Sequence, residues 1–244
     1  RRLPRLALVL FCIAYILPGF LGREPWKVDD VSAFGVMLDM ASGHSSWWQP
    51  QVLGVPVDEA GPLPYWLGAV FIRWLPFLSP EFAVRLPFAM LLGSTLACTW
   101  YATYHLARQP AAQPVAFAFG GEAQPVDYAR TLADAALLAL IACLGLAQLA
   151  HETTPDLARL AATSALLLGA ARLASPASRA HRSLLVWAAG LLFLAFSGAP
   201  WIALTSAMGL LAGLQWRERS DDEGSHPRQL LWPTLILVLV MGLA

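Results

Sequence analysis

Charge is scarce in this chain. Only 13% of its 244 residues are Asp, Glu, Lys or Arg, and 57% are hydrophobic, whereas a soluble domain carries about 25% charged residues. That shortage excludes an ordinary water-soluble domain. Basic and acidic residues cancel at 16 each, so no surplus of positive charge draws the chain to nucleic acid. Cysteine is also rare. Cys12, Cys98 and Cys143 all fall in apolar runs and read as small packing residues, not as a disulfide framework or a metal site. His44 and His151 stand alone, without ligand spacing, so no cofactor is expected and a divalent metal has no ligand set to support it. No small-x-small cleavage site follows the opening RRLPRLALVLFCIAYILPGFLG, which therefore reads as a retained first span and not as a signal peptide. No inverted repeat of the transporter type is visible.

What the chain does have is apolar runs about as long as a bilayer core requires, roughly 17–25 residues. They fall at 6–22, 82–106, 132–150, 157–174, 184–199, 201–216 and 230–244. The expected fold is all-α, a polytopic transmembrane helical bundle of about seven spans in a single domain over 1–244. Beginning on Arg1 and stopping inside LLWPTLILVLVMGLA, the chain reads as part of a longer protein. One further run, PYWLGAVFIRWLPFL at 64–78, is short, aromatic and carries Arg73 at its middle. Aromatic rings favour the headgroup level and a central Arg is costly in hydrocarbon, so this run is expected to lie in the interface. Charge placement agrees. RRLPR, RLASPASRAHR and WRERSDDEGSHPR belong on the cytoplasmic side, and all of them reach it only if 64–78 does not cross. The loop 107–131 is then cytoplasmic as well. Segments 23–81, 151–156 and the turn at Gly198-Ala199-Pro200 come to the other face.

The polar residues of that face are few. Segment 23–81 holds Asp29 and Asp30, and VSAFGVMLDMASG is expected to form a short surface helix with Val31, Phe34, Met37 and Leu38 near one side. Asp39 falls opposite that side and reads as solvated. Asp58-Glu59 leads into a turn at Gly61-Pro62, and His151-Glu152-Thr153-Thr154-Pro155-Asp156 is a second acidic loop. On position alone Asp29, Asp30 and Asp156 read as solvated loop charges. Two acidic loops on one face also suit a site that receives lipid-borne substrates.

A resemblance tips that balance. GREPWKVDDVSAFGVMLDMASG, then WWQPQVLGVPVDEAGPLPYWLGAVFIRWL, then FAVRLPFAMLLGS, then HETTPDLA together resemble, in order and spacing, the N-terminal half of GT-C membrane glycosyltransferases. The bacterial family 39 and aminoarabinose-transferase group is the most similar in these motifs, over about residues 20–175. Such enzymes take a sugar from a polyprenyl-phosphate donor and pass it to a lipid, glycan or protein acceptor at the periplasmic face of the inner membrane. By this resemblance Asp29 matches the first-loop active-site aspartate, Asp30 stands for the usual Glu, Asp156 matches the second-loop aspartate, and Glu59 and Tyr65 fall in the motif that opens the surface helix.

The implied chemistry needs a carboxylate to orient or deprotonate the acceptor and cations to stabilise charge on the departing phosphate. Asp29, supported by Asp156, suits the first role; Arg23, Lys27 and Arg85 are available for the second. Arg85 either faces the site or snorkels to the interface. Two departures stand out. Ala60 and the stretch Ser197-Gly198-Ala199-Pro200 each lack a lysine that the family carries. A non-catalytic protein on the same scaffold is therefore a second reading, and a lipid-linked sugar transporter a third.

Overall fold

A computed structural model describes residues 4–57, 61–115, 123–175 and 180–220, and these described residues form nine α-helices, a two-stranded hairpin and one 3-10 turn. The helices are α1 (Arg5–Phe20), α2 (Val28–Ala41), α3 (Leu63–Trp74), α4 (Pro80–Ala107), α5 (Pro125–Ile141), α6 (Leu144–Leu149), α7 (Pro155–Leu173), α8 (Ala180–Phe196) and α9 (Pro200–Ser220). Strands β1 (Gln51–Val52) and β2 (Val55–Pro56) pair antiparallel between α2 and α3.

Six of the expected apolar runs fall on α1, α4, α5 with α6, α7, α8 and α9; the seventh, 230–244, lies outside the described residues. Among the described residues, α4 is the helix both long and apolar enough to cross a bilayer unaided. Its 28 residues extend about 42 Å. The apolar lengths of α1, α8 and α9 are shorter, and α7 is diluted by alanines and by Asp156, Arg159 and Arg172. The run 132–150 is not one helix: it breaks after Ile141, and Cys143 takes an extended backbone before α6. Neither proline nor glycine stands at the break.

Helix starts follow local chemistry. Ser79 caps α4 by accepting from the Phe82 amide, with Pro80 at the first position and Glu81 in the first turn. Proline likewise opens α5, α7 and α9. Two clusters form the core. In one, Phe88, Leu92 and Leu96 of α4 meet Val36, Met37 and Met40 of α2 and Phe20 of α1. In the other, Trp187, Leu191 and Leu194 of α8 meet Leu166 of α7 and Ala203 and Ala207 of α9. Gly169 lets α7 approach the Trp187 backbone so closely that a Cβ there would lie 2.9 Å from the Trp187 Cα, the close helix contact that small residues permit.

Helix α2 departs from its expected orientation. Its buried positions are Asp30, Ala33, Val36, Met37 and Met40, while Val31 is exposed. The apolar stripe reading fails because α2 packs against α3 and α4 along a different face, so a carboxylate joins the buried side. Asp39 is not simply solvated either: its Oδ2 accepts from the Leu53 amide at 3.2 Å and braces the hairpin. The tip of that hairpin, Leu53-Gly54, turns with both φ values positive.

Candidate functional site

The segments expected on one face meet at one end of the bundle. At the start of α2, Asp30 is 4% exposed. Its Oδ1 accepts from the Thr153 amide at 2.8 Å and from the Thr153 hydroxyl at 2.7 Å. One turn earlier, Lys27 donates to the buried Glu152 carboxylate. His151 completes this seam: its Nε2 lies 3.0 Å from the Tyr15 carbonyl, and its ring fills the space over Gly19, where a Cβ would collide with it. Two polar pairs and one ring thus fasten the α6–α7 loop to α1 and to the first turn of α2. Asp29, next to Asp30, is exposed and makes no hydrogen bond or ion pair with the described residues. Successive residues on a helix diverge by about 100°, so tandem aspartates are divided between a buried clamp and an open carboxylate.

A second seam lies between the starts of α3 and α7 and the α8–α9 turn. Gly198 takes φ +83° there, a value that favours glycine. Gly61 presses on this turn so closely that a Cβ would strike the Phe196 carbonyl and the Gly198 amide. Arg159 of α7 donates through Nε to the Ser197 carbonyl at 3.0 Å and through a terminal nitrogen to Asp156 Oδ1, also at 3.0 Å. The Asp156 side chain is 78% exposed. Gly61 and the turn at 197–200, far apart in sequence, are therefore neighbours.

Between α1, α2 and α4 opens a cavity of about 690 Å³, lined by Arg23 and Glu24 after α1, Val31 and Phe34 of α2, and Phe82 and Arg85 of α4, among others. Arg85 is 7% exposed. One terminal nitrogen donates to the Phe20 carbonyl at 3.4 Å, and Asp30, Glu81 and Glu24 are the carboxylates near enough to act on its charge. A guanidinium has five N–H donors, and one long bond leaves most of them for whatever enters the cavity. Arg85 is thus buried and lines the cavity.

No family model and no curated protein matches the chain. Solved structures do: ArnT from Cupriavidus metallidurans bound to undecaprenyl phosphate aligns at 17% identity with a TM-score of 0.65, over 98% of this chain. The apo structure of the same protein aligns at 16% identity and a TM-score of 0.65, over 96%. The chain shares the ArnT fold. It spans 40% of the length of each ArnT chain. The fold thus agrees with the resemblance that the four motifs carry.

Within this ArnT fold the expected site residues separate. Asp29 and Asp30 lie in the first turn of α2 and Asp156 in the first turn of α7, just past the loop that the first seam fastens. Lys27 is the chain's only lysine and is engaged with Glu152. Tyr65 is buried at the start of α3, and Glu59 lies outside the described residues. Among the described residues no three His, Cys, Asp or Glu side chains gather as a metal site. Sequence reasoning missed Glu152, Thr153 and Arg159 as partners. Their only signal was proximity to Asp156 in the HETTPD stretch.

Proposed function

We propose that this chain forms part of a membrane glycosyltransferase that moves a sugar from a polyprenyl-phosphate donor to an acceptor hydroxyl or phosphate. In this reading the acceptor oxygen attacks the anomeric carbon, and the bond from that carbon to the phosphate oxygen breaks. The acceptor proton passes to Asp29, and the polyprenyl phosphate leaves with the electron pair. Asp29 is the observation that carries the reading: it is the exposed member of the tandem pair, on a helix turn fixed by Asp30 and Thr153. Asp156 supports it from the first turn of α7, just past the loop that the same clamp holds.

Anion stabilisation falls to guanidinium groups, because Lys27 is committed to Glu152 and the family lysines are absent at positions 60 and 198. Arg85 and Arg23, on the cavity wall, are placed for a phosphate. Helices α2, α3, α4, α7 and α9 all begin at this end, so their amides and dipoles favour negative charge there. Glu59 and Tyr65, at the approach to α3, complete the substrate-binding set. The ArnT structure of the same fold holds undecaprenyl phosphate, which supports a polyprenyl phosphate as ligand.

The bundle's outer side chains suit lipid. Leu6, Val9, Leu10 and Phe11 of α1, Leu185 of α8, and Trp201 and Ile202 of α9 are all exposed, a surface that water would not tolerate. We place the chain in a bacterial inner membrane with about seven crossings, with α2 and α3 in the periplasmic interface and the site on that face. The acceptor is a lipid, a glycan or a protein. The test is Asp29→Asn in the full-length protein, assayed for transfer from undecaprenyl-phosphate-linked hexose and pentose. Transfer should fall at least about a hundredfold, the scale of a lost general base, and undiminished transfer would sink the assignment. The second reading, a non-catalytic relative, is favoured by the missing lysines; turnover by the wild-type protein would reject it.

A further inference from the structure

Two bonds of Arg159 differ in energy and purpose. Its contact with Asp156 is an i,i+3 pair on a carboxylate that is 78% exposed, and exposed pairs of this kind contribute at most about 1 kcal/mol to stability. Stability therefore does not explain it. The other bond, from Nε to the Ser197 carbonyl, joins residues 38 positions apart and is part-buried. It anchors the guanidinium plane to the rigid α8–α9 turn, against which Gly61 is packed without room for a Cβ. A planar fork fixed at one edge presents its other donors in a set direction, and one of them meets Asp156 Oδ1.

We propose that Arg159 is a positioning residue: it aims the Asp156 carboxylate into the site and couples that aim to the α8–α9 turn. This rests on the glycosyltransferase reading above. It predicts a fault in alignment when Arg159 is lost, more than a fault in binding, because the guanidinium acts through Asp156. Misplacement of a group by about 1 Å is enough to cost a large rate factor.

The experiment is a double-mutant cycle of Arg159→Ala and Asp156→Asn in the full-length protein, with kcat and KM measured for undecaprenyl-phosphate-linked hexose and pentose. Arg159→Ala should lower kcat about tenfold or more in the wild-type background, with KM within about twofold, and should change kcat by less than about threefold once Asp156 is Asn. A purely structural tie would give the same loss in both backgrounds, and that additivity would overturn the proposal. If Arg159→Ala does not fold, Arg159→Lys keeps the charge but not the planar fork, and runs the same cycle with the same two outcomes. Absence of transfer by the wild-type protein would overturn both the reading and this residue's role. Transfer with additive effects would overturn only the latter.

Discussion

Replace Asp30 by alanine and Thr153 loses the acceptor of two hydrogen bonds at once. Thr153 is 2% exposed, so water does not substitute. Its amide and hydroxyl each become a buried, unsatisfied donor, at about 1–3 kcal/mol apiece, or about 4 kcal/mol together at the middle of that range. For a chain of this size each kcal/mol moves the unfolding midpoint by about 2–4 °C, so Asp30→Ala should lower Tm by roughly 8–16 °C. The same change one residue earlier should do little. Asp29 is exposed and pairs with none of the described residues, and its main contribution to stability is its charge in the first turn of α2, at most about 1 kcal/mol. Asp30→Asn is the intermediate case: an amide oxygen still accepts from Thr153 without the help of charge, and the expected loss is about 1–2 kcal/mol.

Thermal unfolding of the purified protein in detergent, followed by tryptophan fluorescence, measures all three variants. The activity series should run in the opposite sense, with Asp29→Asn stable and inactive. If Asp29→Ala and Asp30→Ala lower Tm equally, the division of the tandem pair into a clamp and a reactive carboxylate is refuted. So is the assignment of Asp29 built on it.

Gly61→Ala should cost about 1–3 kcal/mol and lower transfer in parallel, because its Cβ would meet backbone atoms of Phe196 and Gly198 that have no rotamer with which to escape; an unchanged Tm and rate would count against the second seam. Lys27→Met should leave the Glu152 carboxylate buried and unpaired, lowering stability by about 1–3 kcal/mol once the partial exposure of Lys27 is allowed for. Adding Glu152→Gln to it should recover at least about half of that loss, and a further drop in Tm would contradict the ion-pair account.

The parts of this fold that sequence made legible are those decided by one residue's preference for water or lipid. Apolar runs of the right length marked the bundle, and the distribution of arginines, with Arg73 inside 64–78, brought 23–81, 151–156 and 198–200 to one face. Lys27, Glu152, Asp30, Thr153, Gly61 and Gly198 do meet there. Decisions made by pairs were not legible. Two adjacent aspartates look alike until Thr153, 123 positions away, takes one of them, and Lys27 looks like a substrate cation until Glu152 claims it. The stripe through Val31 and Leu38 misled for the same reason, since a buried Asp30 has no place in a hydropathy pattern. The break at 142–143 carried no signal at all.

These polar groups share one property: each of Asp30, Glu152 and Thr153 is buried because another polar group satisfies it, which avoids the cost of an unpaired polar group away from water. A carboxylate so held has one oxygen engaged and is shut away from solvent, which leaves it little freedom to accept a substrate proton. On the proposed reading, the same accounting that explains why Asp30 is buried points to Asp29, which pairs with none of the described residues, as the carboxylate for the chemistry, and to Arg85 as a buried cation with donors still unspent.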